Sequence, residues 1–189
     1  MGTIKTTNIE PIADNGTVTL GSSGDTFTVP SGVTVNMSSA TQTGVGGVNT
    51  PAFHAYISSD QSISDSTQTL LNYDTEIFDT AGAFNTSTKK FQPQTAGKYV
   101  VYAQMTPNNV ADHDTFELQM YKNAVSTSGT QAIARGRNEA HETKYLNRIV
   151  EFNGSSDFVY MYTFQTAGAS KTVRGTRYDS FFGAYKIIE

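Results

Sequence analysis

The chain has 189 residues, of which 37% are hydrophobic and 16% charged, with a net charge of −4 and no cysteine. That length suits one main core with a short appendage and is too short for two ordinary domains. Disulfides and thiolate metal sites are excluded, and a charge of −7 over residues 1–120 and +3 over residues 121–189 gives little reason to expect a nucleic-acid partner.

Thr, Ser, Asn and Gly are abundant and aromatic residues reach 11%. This balance fits pleated sheets better than helices, so the expected class is all-β. No apolar run approaches the roughly 20 residues of a membrane span, and the first residues lack a basic-then-apolar signal pattern. Neither a membrane partner nor standard secretion is expected.

In chain order, residues 1–42 come first, and their stretch "NGTVTLGSSGDTFTVPSGVTVNM" alternates apolar and polar residues at Val18 and Leu20, at Phe27 and Val29, and at Val33, Val35 and Met37. The pattern predicts short strands punctuated by Gly, Pro and Ser turns. So small a ribbon cannot bury a core alone, which makes it a stalk or attachment segment. Residues 43–51, within "TQTGVGGVNTP", read as a Gly-rich linker.

From residue 52 the strands lengthen and become aromatic. Expected strands fall at about 52–57, 68–72, 74–79, 97–106, 114–126, 131–138, 143–152, 157–166 and 180–188. Eight or nine strands without a credible helix favour a sandwich or jelly roll. The segment 114–126 could also be written as a helix, but its neighbours argue for strand. The stretch "SFFGAYKIIE" is unusually apolar for a chain end, as though its strand lay in the middle of something.

Residues 52–189 resemble the C1q-like domain of the complement C1q and tumour necrosis factor superfamily. The likeness rests on "AFHAYIS", with Ala52, Phe53 and Ala55; on Asn72, "IFDT", Phe84 and Asn85; on Phe91 and Pro93 ahead of Gly97 and Tyr99; and on Phe181 and Gly183 in "SFFGAYKI". Val101 stands where the family usually has Phe, and Tyr185 where it often has Leu. The collagen stalk of the animal proteins is missing.

The resemblance implies a jelly roll whose last strand lies in an inner sheet, with three inner sheets packed around a threefold axis as a homotrimer. By strand parity, Tyr99, Val101, Ala103, Phe181, Gly183 and Tyr185 would face the sandwich core. Val100, Tyr102, Gln104, Phe182 and Ala184 would then face the neighbouring chain. The stretch "SGDTFTVPSGVTVNMSSATQTG" looks like the short β-repeat that precedes receptor-binding or decorating heads in tailed-bacteriophage structural proteins.

Chemistry is sparse. His54, His113 and His141 are isolated, and there is no nucleophile elbow, zincin motif or phosphate loop. In the "DHD" turn, Asp112 and Asp114 could offer oxygen ligands to calcium, as apical loops do in some trimers of the superfamily. Asp74 and Glu76 are spaced as a general acid and base would be on one strand face, a glycan-cleaving alternative for which no cleft is evident.

The expectation is therefore a non-enzymatic virion protein without an obligatory cofactor. Residues 1–50 would attach to other virion proteins, and a trimeric head would bind a host-surface glycan or protein through loops near 58–67, 107–113 and 167–178. Arg174, Arg177 and Tyr178 are the candidate contacts, since arginines and aromatics dominate recognition hot spots. The alternative is a capsid decoration protein that stabilises the shell without binding the host.

Overall fold

A computed structural model describes residues 19–35, 49–111, 114–135 and 143–187. By contacts the chain separates into two units, Met1–Val45 and Gly46–Glu189.

Within the first unit, residues 19–35 form turns and no strand. The turns fall where the sequence places them: Asp25 N–H donates to Ser22 O at 3.0 Å, and Ser22 N–H to the Asp25 carboxylate at 2.7 Å. The alternating apolar residues Leu20, Phe27, Val29, Val33 and Val35 stay exposed. A ladder needs a second chain segment to accept its hydrogen bonds, and these seventeen residues contain none. The strands expected here are therefore absent, and Val18 and Met37 lie outside the described residues.

The described residues of the second unit form β-strands and their connections, with no helix. Its main sheet has five antiparallel strands in the order β11-β7-β14-β1-β4: β1 (Ala52–Tyr56), β4 (Thr75–Asp79), β7 (Gly97–Met105), β11 (Lys144–Phe152) and β14 (Phe181–Lys186). The apolar stretch near the chain end is thus the central strand, bonded to β1 on one side and β7 on the other. A second sheet runs β10-β9-β12-β6-β5, with β5 (Phe84–Asn85), β6 (Lys90–Phe91), β9 (Thr115–Lys122), β10 (Val125–Arg135) and β12 (Val159–Gln165); β3 (Thr69–Leu70) also pairs with β12. A small third sheet, β2-β13-β8, joins β2 (Gln61–Ile63), β13 (Lys171–Val173) and β8 (Pro107–Asn108).

The run expected as one strand over 114–126 is two strands and a hairpin. Asn123 and Ala124 both take positive φ, 52° and 63°, as a two-residue primed turn requires. Asn tolerates that conformation and here is fixed by its side chain, which donates to the Asp157 carboxylate at 2.7 Å and accepts from Phe158 N–H at 3.0 Å.

Between the two large sheets lies an aromatic core. The buried Phe53 ring stacks on Phe84 and Phe91, each at 4.6 Å, and meets the edge of Phe182 at 4.8 Å. Tyr99 and Phe152 pack edge-on at 5.1 Å. The two fully buried tyrosines find acceptors: Tyr73 donates to Gln104 O at 3.0 Å and Tyr99 to Thr95 O at 2.8 Å. A buried hydroxyl without a partner would cost free energy, so these bonds let tyrosine serve as a core residue.

Phe53 touches three rings from three other strands or their margins, so its removal leaves a cavity that no single neighbour can fill. Phe53→Ala is expected to lower unfolding stability by about 3–5 kcal/mol, read as a shift of the urea midpoint with unchanged slope. A loss below about 1 kcal/mol would mean that the ring stack is not the centre of the core.

Candidate functional site: the open face of the five-stranded sheet and the adjoining loop

On β7, Tyr99, Val101, Ala103 and Met105 are buried against the second sheet, while Val100, Tyr102 and Gln104 lie half-buried on the opposite face. On β14 the phase is the reverse of the expected one. Phe182 and Ala184 are buried in the core, and Phe181 and Tyr185 occupy the open face. Directly opposed residues of an antiparallel pair share a face. The register Phe182↔Ala103 and Ala184↔Val101 therefore sends both inward. Parity alone could not set the phase, because Phe181 and Phe182 are equally apolar and Gly183 and Ala184 equally small. Phe182 and Ala184 cannot contact a neighbouring chain.

The face that does remain open is aromatic. Phe78 of β4 (47% exposed), Tyr185 of β14 (38%), and Tyr145 (52%) and Ile149 (65%) of β11 are its most exposed large residues. Register places Tyr145 and Ile149 opposite Gln104 and Val100, hence on this same side.

At its centre three strands present His54, Gly183 and Tyr102 in one row. His54 Nδ1 lies 2.9 Å from Tyr102 Oη, across the glycine between them. A Cβ at position 183 would collide with the Tyr102 hydroxyl and ring, so only glycine admits this hydrogen bond. The imidazole also contacts the rings of Phe181 at 5.3 Å and Phe78 at 6.2 Å. Burial lowers the His54 pKa from its ordinary value and favours neutral imidazole. Burial, with the approach of Tyr145 and Tyr185, raises that of the Tyr102 phenol.

The three loops expected to contact a ligand come together, since 58–67, 107–113 and 167–178 supply β2, β8 and β13 of the third sheet. Arg174, Arg177 and Tyr178 lie on the segment that leads from there into β14. Arg174 faces Asp179 at 3.5 Å. The Arg177 guanidinium lies over the Tyr178 ring at 4.7 Å, and Tyr178 is 72% exposed. Gly175 is held against Ser59, and its N–H donates to the Asp60 carboxylate at 2.8 Å. Gln104 turns its amide to this segment, donating to Tyr178 O at 3.0 Å and Asp179 O at 3.2 Å.

The acidic candidates have structural partners. Asp114 is buried and paired with Lys171 at 2.9 Å, and its carboxylate also accepts Ala111 N–H at 2.8 Å. Burial would raise its pKa, but the Ala111 bond and the lysine outweigh that and hold it low. An ammonium already beside the carboxylate disfavours calcium there. Asp112 lies outside the described residues, and among the described residues no three His, Asp or Glu side chains converge as a metal site would require.

Asp74 accepts from Ser58 N–H and Oγ–H, at 2.9 and 3.0 Å, and from Asn72 and Thr75, both at 3.1 Å. Burial opposes ionisation, yet the bonds led by Ser58 hold the pKa below its ordinary value. A general acid needs the opposite shift. Glu76, exposed and opposite Ala55, makes no such cluster with it.

No protein-family model matches the sequence, and no curated protein matches it. Solved structures do match the fold. Eiger TNF from S. frugiperda aligns with a TM-score of 0.54 and 14% identity, covering 73% of this chain and 92% of that one. Murine APRIL at pH 8.5 aligns at 0.55 and 12% identity, covering 72% and 98%. The globular domain of zebrafish complement 1qA protein aligns at 0.54 and 12% identity, covering 74% and 98%. The class is therefore an all-β jelly roll of the C1q and tumour necrosis factor type.

The glycine in the central row gives a sharp test. Gly183→Ala is expected to destabilise the domain by about 1–3 kcal/mol, the usual cost of overpacking, and to do far less in a Tyr102→Ala background, where the colliding ring is gone. Equal costs in both backgrounds, measured as a double-mutant cycle in urea, would rule out the Tyr102 contact as the reason for glycine.

Proposed function

We propose that the chain is a non-enzymatic structural and recognition protein, and that its jelly roll assembles as a homotrimer through the open face of the five-stranded sheet. The observation that carries this reading is the aromatic face itself. The domain has a complete core between its sheets, yet leaves Phe78, Tyr145, Ile149 and Tyr185 uncovered on one side. Contiguous exposed apolar surface on a finished domain marks an interaction site. The TNF- and C1q-like fold supports a recognition or structural role.

The likeness of "SGDTFTVPSGVTVNMSSATQTG" to phage β-repeats supports a place in a tailed-phage virion, with residues 1–50 joined to other virion proteins. Host contact, with a surface glycan or protein, is assigned to the Arg177 and Tyr178 segment, where an exposed aromatic ring and a guanidinium stand together. Three linked copies multiply weak contacts into useful avidity. Labelled virions separate host binding from decoration, since density on the tail supports the first and density on the capsid face the second.

Light scattering is expected to give three times the 20.5 kDa chain mass. Replacing the exposed residues Ile149 and Tyr185 together by Lys should yield a folded monomer, with the circular dichroism spectrum unchanged. A wild-type monomer at high micromolar concentration would overturn the assembly.

A further inference from the structure

His54 is the one histidine among the described residues, and its hydrogen bond and ring contacts are all to uncharged groups. Its own strand places Ala52 and Tyr56 on the same face. From β4 comes Phe78; of that strand's two carboxylates, Asp79 accepts Ala81 and Phe84 N–H, and Glu76 is exposed beyond the register shift between His54 and Ala55. From β14 come Phe181 and Tyr185, with Lys186 at the strand end, and from β7 come Val100, Tyr102 and Gln104, with Lys98 at its start. Still further across the sheet, β11 adds Tyr145, Asn147 and Ile149, and Glu151 lies opposite Lys98 at the far end of the strand. The immediate surroundings of the imidazole are thus phenyl rings, a phenol and a glycine backbone.

We propose that His54 makes assembly through this face pH-dependent, with copies joining when the imidazole is neutral and separating when it is protonated. The inference rests on the trimeric reading above. In the single chain His54 is only partly covered, and water still reaches the ring. Packing three such faces together removes that water and brings three equivalent imidazoles into one apolar seam. Neutral rings lose little there, since Tyr102 supplies a hydrogen-bonding partner at 2.9 Å. Protonated rings would each be a desolvated cation without a carboxylate, and would repel one another as well.

The sign follows from linkage. Assembly favours the neutral form, so the assembled state binds fewer protons than the free chains. Association is strongest above the His54 pKa of the free chain, which burial already holds below the ordinary 6.5, and is lost as the pH falls through it. The burial-lowered pKa already present in the isolated chain has the same direction.

The test compares the full chain with His54→Gln at pH 7.5 and pH 5 by sedimentation at several concentrations. Glutamine keeps a polar group near Tyr102 but cannot take the charge. Wild type is expected to be trimeric at pH 7.5 and to associate at least about tenfold more weakly at pH 5, while His54→Gln changes little over the same range. A wild-type trimer of equal strength at both pH values overturns the switch and leaves the trimer standing, as does an equal loss in His54→Gln. A wild-type chain that is monomeric at pH 7.5 overturns the assembly and the switch together. If His54→Gln fails to assemble, the readout becomes the His54 titration by nuclear magnetic resonance. Its pKa should be lower in the wild-type assembly than in the Ile149→Lys, Tyr185→Lys monomer, and equal values reject the proposal.

Discussion

β14 is hydrogen-bonded along both edges, to β1 and to β7, and most of the unit depends on that pairing. Its two faces solve different packing problems. Inward, Phe182 meets Phe53 at 4.8 Å and Phe84 at 5.7 Å, tying the five-stranded sheet to the hairpin of β5 and β6 in the other sheet. Outward, Gly183 withdraws to leave room for Tyr102 to reach His54. A bulky residue at 182 and none at 183 is what one strand needs if it is to fill a core on one side and let two neighbours close over it on the other.

The sequence carried the long elements well, because strands such as β7 and β12 are long enough for alternation and aromatic content to reinforce each other. It was weaker wherever a strand is two or three residues long. β2, β5, β6, β8 and β13 have no room to display a period, and the third sheet they partly form exists only through tertiary pairing. The hairpin at Asn123 and Ala124 was hidden for another reason: it lacks the Gly that usually marks a primed turn, and Asp157, more than thirty residues away, supplies the partner that fixes it. Among the site residues, Val100, Tyr102 and Gln104 could be placed on the open face from β7 alone, where Tyr99, Val101 and Ala103 make the opposite face plain. Phe182 and Ala184 could not, since only their register with β7 distinguishes the two sides. His54 was visible merely as an isolated histidine. What gives it meaning is its row with Gly183 and Tyr102, which joins residues 48 and 129 positions apart and leaves no local trace.

Two kinds of uncovered apolar surface occur among the described residues, and they differ energetically. The open face of the five-stranded sheet is already ordered by its own ladder, so covering it costs little beyond side-chain freedom and returns about 25 cal/mol per Å² of apolar surface. Residues 19–35 carry comparable side chains, Phe27, Val29, Val33 and Val35, on backbone that forms no ladder. Pairing them with another segment would have to offset roughly 1–2 kcal/mol of backbone entropy per residue. The sheet face is thus the more favourable site from which association can begin, and the early segment is suited to pairing with a partner that is itself already ordered.

Charge is distributed in keeping with that division. The carboxylates with lowered pKa, Asp74, Asp114 and Asp157, sit in turns and at strand ends, where each accepts backbone or side-chain donors. Because folding depresses these groups, their contribution is present above the ordinary carboxylate value of 3.8 and is lost only as the pH falls through their still lower folded values. His54 on the open face is of another kind, since burial lowers its pKa from the ordinary imidazole value of 6.5. In the proposed assembly, protonation of His54 would weaken the contact between copies without touching the hydrogen bonds that Asp74, Asp114 and Asp157 accept within each jelly roll, so that disassembly would release folded heads rather than unfolded chains.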